Sequence, residues 1–436
     1  MLKNAALNSV DRIIMAGARF LSAILIARLL GPEGYGIFQF ALTTSIIAAT
    51  LADFGFGIAN NYLASHFPHV RPKLLSNALI FVGGSGTIIA LLSGVVVTVF
   101  KNRAFSELPE AYLWLIPLSI PIQAVQISLI GLIYGASRFR EKVIGTSLHY
   151  ALFLSTTTAL AFLETLTTNS LMVLWIAGLS ISSIYWIGIL LRGDSAGLQW
   201  DKASLKEQFS YARNAYIYNA AHMLNFRLDM FLVAYFLEAE DVGWYALATS
   251  ITEALLYLPK ALSNVVLTET ATELQNGIKS NHHLVYKGII LIIGAAIMVT
   301  AILAPLLLPL VFSSSFIPAI APLLLLLPGT LAMALGIIAA YHLFGMGKAF
   351  QPSLAALVAT IITVILDLLL IPLLGIQGAA LASTLAYVAF LTMCLYFVLA
   401  ESEANVKSLL IPTRQDMAML FLVIKKVWPY GRHAQA

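Results

Sequence analysis

The sequence predicts an all-α integral membrane protein of about twelve transmembrane helices, and three observations carry that expectation. The 436 residues are 60% hydrophobic and 11% charged, against roughly 45–50% and 25% for a soluble domain, so no water-facing surface could be assembled from them. The apolar residues fall into a dozen runs, each near the ~20 residues that cross a ~30 Å hydrocarbon core. The basic residues collect in alternate connections between the runs, as when positive charge is retained on the cytoplasmic side.

In order, the runs cover 12–31, 38–65, 74–100, 112–135, 143–163, 170–191, 212–237, 245–272, 287–312, 318–344, 353–372 and 378–400. The first is too long, and too marked by Arg19 and Arg28, for a cleaved signal peptide. After Glu401 the apolar stretch Met417 to Val427 is too short to span and ends in Lys425, Lys426 and Trp428, which reads as an interfacial helix or a tail. The organisation is therefore an N-terminal lobe over 1–192, a cytoplasmic linker over 193–211, a C-terminal lobe over 212–400 and a cytoplasmic tail over 401–436. The longest loop runs from Arg192 to Tyr211.

With the N-terminus inside, only Lys101 and Arg103 lie in outer loops. Arg19, Arg28, Arg227 and Lys260 lie within spans, and the remaining lysines and arginines, Lys142 and Lys287 among them, take the inner side. Both termini are expected in the cytoplasm, and the protein in the cytoplasmic (inner) membrane. The net charge of +4 expresses this topology, so membrane lipids are the expected surroundings and nucleic acid is not an expected partner. The single cysteine, Cys394, leaves no disulfide or thiolate metal site within one chain. His66 with His69, and His282 with His283, lack carboxylate or cysteine partners at ligand spacing, and no metal is expected.

The chain repeats itself at an offset of 207 residues. Leu30-Gly-Pro-Glu-Gly-Tyr-Gly-Ile-Phe38 matches Leu237-Glu-Ala-Glu-Asp-Val-Gly-Trp-Tyr245, superposing Glu33, Gly36 and Phe38 on Glu240, Gly243 and Tyr245; Pro121 meets Pro328. Six helices followed by six of the same orientation make a parallel repeat, the plan of transporters whose substrates bind near the midplane between two lobes. Pro117, Pro121, Pro259, Pro305, Pro309, Pro322 and Pro328 interrupt spans, where each removes a backbone donor; they are either tolerated ordinarily or serve as bends. Gly131 and Gly135 have the small-xxx-small spacing of close helix packing.

Ionisable residues within spans cost roughly 2.5–3.5 kcal/mol each at a helix centre and need a reason to be there. They are Arg19, Arg28 and Asp53 in the first half, and Arg227, Asp229, Glu253, Lys260 and Asp367 in the second. Arg28 lies near a helix end and either snorkels or faces a cavity. Arg227 and Asp229 stand about 200° apart around a helix, so one side cannot satisfy both. Arg227 and Glu253 are equidistant from Glu240 in sequence, and are either a buried ion pair or a working one.

Ala27-Arg-Leu-Leu-Gly-Pro-Glu-Gly-Tyr-Gly-Ile-Phe38 and Leu51-Ala-Asp-Phe-Gly-Phe-Gly57 resemble the opening of the Wzx-type polysaccharide flippases, a branch of the multidrug, oligosaccharidyl-lipid and polysaccharide exporter superfamily. Arg227-Leu-Asp-Met-Phe-Leu232, Val242-Gly-Trp-Tyr-Ala246, Leu258-Pro-Lys-Ala-Leu262 and Gly375-Ile-Gln-Gly-Ala-Ala-Leu-Ala382 are similar too, although the acidic Glu238-Ala-Glu-Asp241 turn is less glycine-rich than the family's usual form. The resemblance implies a MATE-like exporter fold of two six-helix lobes around a central cavity. It implies a non-enzymatic flippase moving a polyprenyl-diphosphate-linked oligosaccharide from the inner to the outer leaflet, for O-antigen or exopolysaccharide synthesis, alongside other polysaccharide-assembly membrane proteins.

A diphosphate is well matched by guanidinium forks, so Arg19, Arg28, Arg227 and Lys260 are candidate substrate ligands. Asp53, Asp229, Glu253 and Asp367 are candidates for ion coupling or charge pairing, with a proton or a sodium ion as the coupling ion and no other cofactor. The rival readings are a cation-coupled drug or metabolite antiporter of the same superfamily, whose cavity should be lined by carboxylates, and a membrane-embedded polysaccharide polymerase, which should present a large extramembrane loop bearing acid or base groups.

Two tests follow. In a Cys394→Ser background, a cysteine at Glu107 is expected to react with an impermeant thiol reagent from the outer face; labelling only from the inside overturns the topology. Exchanging Arg227 and Glu253 is expected to give a protein of normal membrane abundance that fails to flip glycan. Wild-type flipping by the exchanged protein would instead mark a structural pair, of the kind whose breakage costs about 3–5 kcal/mol.

Overall fold

The computed structural model describes residues 2–104, 108–193, 198, 200–276, 282–401 and 409–411. Every regular element among them is helical: α1 (Leu2–Asp53), α2 (Phe56–His66), α3 (Arg71–Asn77), α4 (Gly83–Ala104), α5 (Tyr112–Gly135), α6 (Phe139–Phe162), α7 (Thr168–Gly193), α8 (Lys202–Phe236), α9 (Ala239–Leu255), α10 (Tyr257–Asn276), α11 (His282–Val311), α12 (Ile320–Gly345), α13 (Phe350–Leu374) and α14 (Ile376–Glu401). The stretch 417–427 and position 107 lie outside the described residues.

The dozen expected spans map onto these helices. The first two share α1, which is divided at Gly31, where φ is 68° and ψ −171°. Glycine alone adopts that conformation without a Cβ penalty, and Pro32 then sits at the first position of the next helix, where its missing N–H costs nothing. Among the described residues, eight helical runs are long and apolar enough to cross a membrane. α6, α8, α9 and α10 fall below that threshold because they carry the polar groups: Lys142 and His149 on α6, Arg227 and Asp229 on α8, Glu253 on α9 and Lys260 on α10. α9 and α10 are also shortened by a break at Leu256. Pro259 accounts for it, since a proline ring clashes with the carbonyl four residues earlier, here that of Leu255. Pro117, Pro121, Pro305, Pro309 and Pro328 stay inside unbroken helices.

The helices gather in two compact units, Met1–Leu247 with Leu308–Ala319 and Ile371–Ile376, and Ala248–Leu307 with Ile320–Leu370 and Gln377–Ala436. In the first, α2 lies directly on α5. A methyl on Gly131 would stand 2.7 Å from the carbonyl carbon of Gly57, and one on Gly135 2.5 Å from the carbonyl oxygen of Asn61, so the small-xxx-small pair is a packing device. Leu63, Leu74, Leu132, Ile133 and Trp186 form a core beside it.

The segment expected as a loop up to Tyr211 is helical from Lys202. Asp201 caps it, accepting hydrogen bonds from the Ala203 and Ser204 amides at 3.3 and 3.2 Å, and Lys73 lies 3.3 Å from its carboxylate. These amides hold the Asp201 carboxyl below the usual carboxylate range. One face of the new turns is fastened by a buried amide chain: Gln208 donates to Asn60 at 2.6 Å, Asn77 donates to Gln208 at 2.7 Å and Asn60 donates to the Ser128 hydroxyl at 2.8 Å.

In the second unit α12 is the enclosed helix, and its glycines admit neighbours. Thr384 Cα would be 2.7 Å from a methyl on Gly329, Phe390 Cδ1 2.7 Å from one on Gly336 and Thr270 Cβ 2.6 Å from one on Gly345. Thr384 also donates to the Leu325 carbonyl at 2.7 Å, one residue from the carbonyl that Pro328 leaves without its helical donor.

Gly131→Ala is expected to destabilise the protein by about 1–3 kcal/mol through overpacking against rigid backbone. Gly84→Ala, whose methyl would meet nothing within 4 Å, is expected to be neutral or stabilising by up to about 1 kcal/mol. Thermal unfolding in detergent checks both.

Candidate functional site

The candidate residues divide between the units. Arg19, Arg28, Asp53, Arg227 and Asp229 belong to the first; Glu253, Lys260 and Asp367 belong to the second.

Arg19 sits near the middle of the first half of α1 with its side chain on the unit's surface. Its Nε–H donates to the hydroxyl of Tyr150 on α6 at 3.0 Å, which fixes the plane of the guanidinium. Behind Tyr150 lies an aromatic cluster: Trp175 meets His149 edge-on at 4.5 Å and Phe153 at 5.4 Å, and Phe153 stacks on Phe38 at 5.9 Å. Lys142, expected in an inner loop, is buried on α6 with its ammonium donating to Thr146 at 2.9 Å and lying 6.0 Å from the Tyr134 ring. Lys287, also expected on the inner surface, is buried on α11. Lys142, Thr146 and Tyr150 follow one another at four-residue spacing, so one face of α6 is a polar stripe. That spacing was the available sequence signal for Tyr150; the burial of Lys142 had none, because a lysine at a span's edge is ordinarily a snorkelling one.

Asp53 is buried at a break in the second span, and the break explains it. Phe54 and Gly55 both have left-handed backbone, with φ of 50° and 79°, and α2 restarts at Phe56. The Gly57 N–H donates to both Asp53 carboxylate oxygens, at 3.2 and 3.0 Å. Asp53 is thus the cap of a helix that begins inside the membrane, where an uncapped amide would be costly.

Arg28 has comparable work at a helix end. Its Nε–H donates to the Val311 carbonyl at 2.7 Å and its Nη2 to the Leu310 carbonyl. Those carbonyls terminate α11, where the helix dipole favours a cation. Arg71 does the same for Ala64 at 3.0 Å, and Arg138 for Ile189 at 2.6 Å.

Asp229 is buried on α8, accepts the Tyr245 hydroxyl on Oδ2 and accepts the Met230 amide on Oδ1 at 2.7 Å. Arg227 is half-buried on another face of the helix, as the angular argument requires. In the second unit Glu253 and Lys260 are half-buried and Asp367 fully buried. Among the described residues no group of three histidines, cysteines or carboxylates is placed to hold a metal.

The two copies of the repeated motif meet within the first unit. A methyl on Gly36 would overlap the Ala239 carbonyl oxygen and stand 2.7 Å from the Gly243 nitrogen; one on Gly243 would overlap the Pro32 carbonyl oxygen and stand 3.2 Å from the Gly36 nitrogen. Pro32 and Ala239 are themselves mates at the 207-residue offset, so the contact is reciprocal, as two copies of one motif make across a two-fold axis.

The fold is similar to an inward-facing multidrug resistance MATE family transporter of the MOP superfamily (13% identity, 92% of this chain and 100% of that one, TM-score 0.70). It is similar to the lipid II flippase MurJ in an inward closed conformation (14% identity, 98% and 93%, TM-score 0.71). It is also similar to a MOP superfamily transporter from Pyrococcus furiosus (14% identity, 91% and 95%, TM-score 0.62). Identities this low establish a shared MATE-like membrane fold and nothing finer. No curated protein matches the sequence. A family model described as polysaccharide biosynthesis protein matches residues 1–268, more than half of the chain and all of the motifs that surround Arg19, Asp53 and Gly36, and the chain belongs to that family.

Proposed function

We propose that the protein flips a polyprenyl-diphosphate-linked oligosaccharide from the inner to the outer leaflet of the cytoplasmic membrane, by alternating access, for O-antigen or exopolysaccharide synthesis. The observation that carries this reading is Arg19: a guanidinium near mid-span, on the surface of its unit and oriented by Tyr150. A guanidinium offers the paired oxygens of a diphosphate bidentate, charge-assisted hydrogen bonds. Membership in a polysaccharide biosynthesis family supports a glycan as the remainder of the substrate.

Arg227 and Lys260 are the further candidate ligands. Asp229, Glu253 and Asp367 are the candidates for coupling to a proton or a sodium ion. Asp53, whose carboxylate is engaged by Gly57, and Asp229, whose carboxylate is engaged by Tyr245 and Met230, rank below Glu253 and Asp367. That engagement also weighs against the antiporter reading, which needs carboxylates for its cargo. The polymerase reading loses support because the stretch expected as the longest loop is helical and docked from Lys202 onward.

Arg19→Ala is expected to abolish glycan export at unchanged membrane abundance, and Arg19→Lys to restore it in part, since a point charge lacks the planar fork. Tyr150→Phe is expected to lower export severalfold with the charge intact. Flipping assayed in proteoliposomes with a fluorescent lipid-linked glycan decides it, and full activity of Arg19→Ala would sink the substrate-binding assignment. Extrusion of cationic dyes by the wild type, with no effect on lipid-linked glycan, would favour the antiporter.

A further inference from the structure

Three contacts converge beside the reciprocal glycines, around the break of α1 at Gly31, and all lie within the first unit. Arg28 clasps the carbonyls of Leu310 and Val311 at the C-terminus of α11. Tyr35 meets Phe316 edge-on, with ring centroids 6.0 Å apart. Trp244 donates its indole N–H to the Ser315 carbonyl at 2.8 Å. In each case one partner comes from the region of the repeated motif and the other from residues 310–316. With the N-terminus inside, as the basic residues place it, this is the outer side of the membrane.

We infer that Arg28 is a positioning residue of the transport cycle and not a ligand of the substrate: it latches the end of α11 to α1, and with the Gly36–Gly243 contact it holds the outer side shut until the protein opens outward. The chemistry suits a reversible latch. The last carbonyls of a helix lack intrahelical donors, so in the closed state they need the guanidinium, whose charge also answers the helix dipole. At the membrane surface water can take over both carbonyls when the latch parts, so release exchanges hydrogen bonds and strands none. The glycines supply the close approach that lets the latch reach, for a Cβ on either would strike the opposing backbone. The latch is one-sided, because the residue matching Arg28 in the second repeat is Tyr235, which has no charge to offer. The inference deepens the transport reading, but it concerns motion and does not depend on which substrate is moved.

Distances between spin labels test it. Glu33 and Glu240 are exposed, one on each copy of the motif, and are labelled through Glu33→Cys and Glu240→Cys in a Cys394→Ser background, in lipid nanodiscs without glycan. The otherwise native protein is expected to show a dominant short distance. Arg28→Ala is expected to raise the ratio of long-distance to short-distance populations on the order of tenfold, the worth of one charge-assisted hydrogen bond. Arg28→Lys should restore part of the short population, and Gly243→Ala should deplete it by blocking closure. An Arg28→Ala protein that keeps the native distance distribution overturns the inference, and does so most pointedly if it has also lost flipping, which would return Arg28 to the substrate. Should Arg28→Ala fail to accumulate, Arg28→Lys and Gly243→Ala carry the measurement, and native distributions in both overturn it equally. Because the readout needs no glycan, failure of the flippase reading leaves it intact.

Discussion

Hydrocarbon offers no hydrogen bonds, and that deficit organises this molecule. Where a helix breaks within a span, a side chain must supply what water would supply elsewhere. Asp53 does so for the amide of Gly57, and nearer the aqueous faces Arg28 serves the carbonyls of Leu310 and Val311, Arg71 that of Ala64 and Arg138 that of Ile189. Ser85 donates to the Ala52 carbonyl at 2.7 Å beside the break after Asp53. Several groups that a charge-counting argument assigns to substrate or coupling ion are thus attached to backbone. Arg19 differs in that its Nε–H donates to a side-chain hydroxyl, that of Tyr150.

Much of the architecture was legible from composition and periodicity. The apolar runs reappear as helices, eight of the runs among the described residues being long and apolar enough to cross a membrane, and Gly131 and Gly135 reappear as a packing device, because each rests on a property a short window of sequence contains. The loop expected up to Tyr211 did not reappear. The turns after Asp201 are amphipathic and not apolar, so a search for hydrophobic runs starts α8 too late, and what fastens them is a pair of amides from two other helices, 131 and 148 residues away in sequence from Gln208. Distance along the chain hides such partnerships.

The candidate site was legible by residue type and illegible by role. Depth in a span marks Arg19, Asp53 and Asp229 equally. Only three-dimensional placement shows that Asp53 caps a helix, that Asp229 is engaged by Tyr245 sixteen residues on, and that Arg19 faces outward from its unit beside Tyr150. Lys142 shows the converse: positive-inside counting assigned it to an inner loop and had no means of telling a surface lysine from one folded back onto Thr146.

The meeting of Gly36 with Gly243 has a consequence for how such a chain can change. A residue on a two-fold axis touches its own copy, so in a symmetric pair of identical halves one substitution would enlarge both sides of the contact at once. Fusion into a single chain frees the halves to diverge, and they have diverged almost everywhere: Arg28 now answers to Tyr235, and Asp53 to Lys260. At the axis the freedom is nominal, because a side chain added to either copy meets the unaltered backbone of the other. The glycines are therefore the place where the interface between two once-separate halves would still be readable in a single chain.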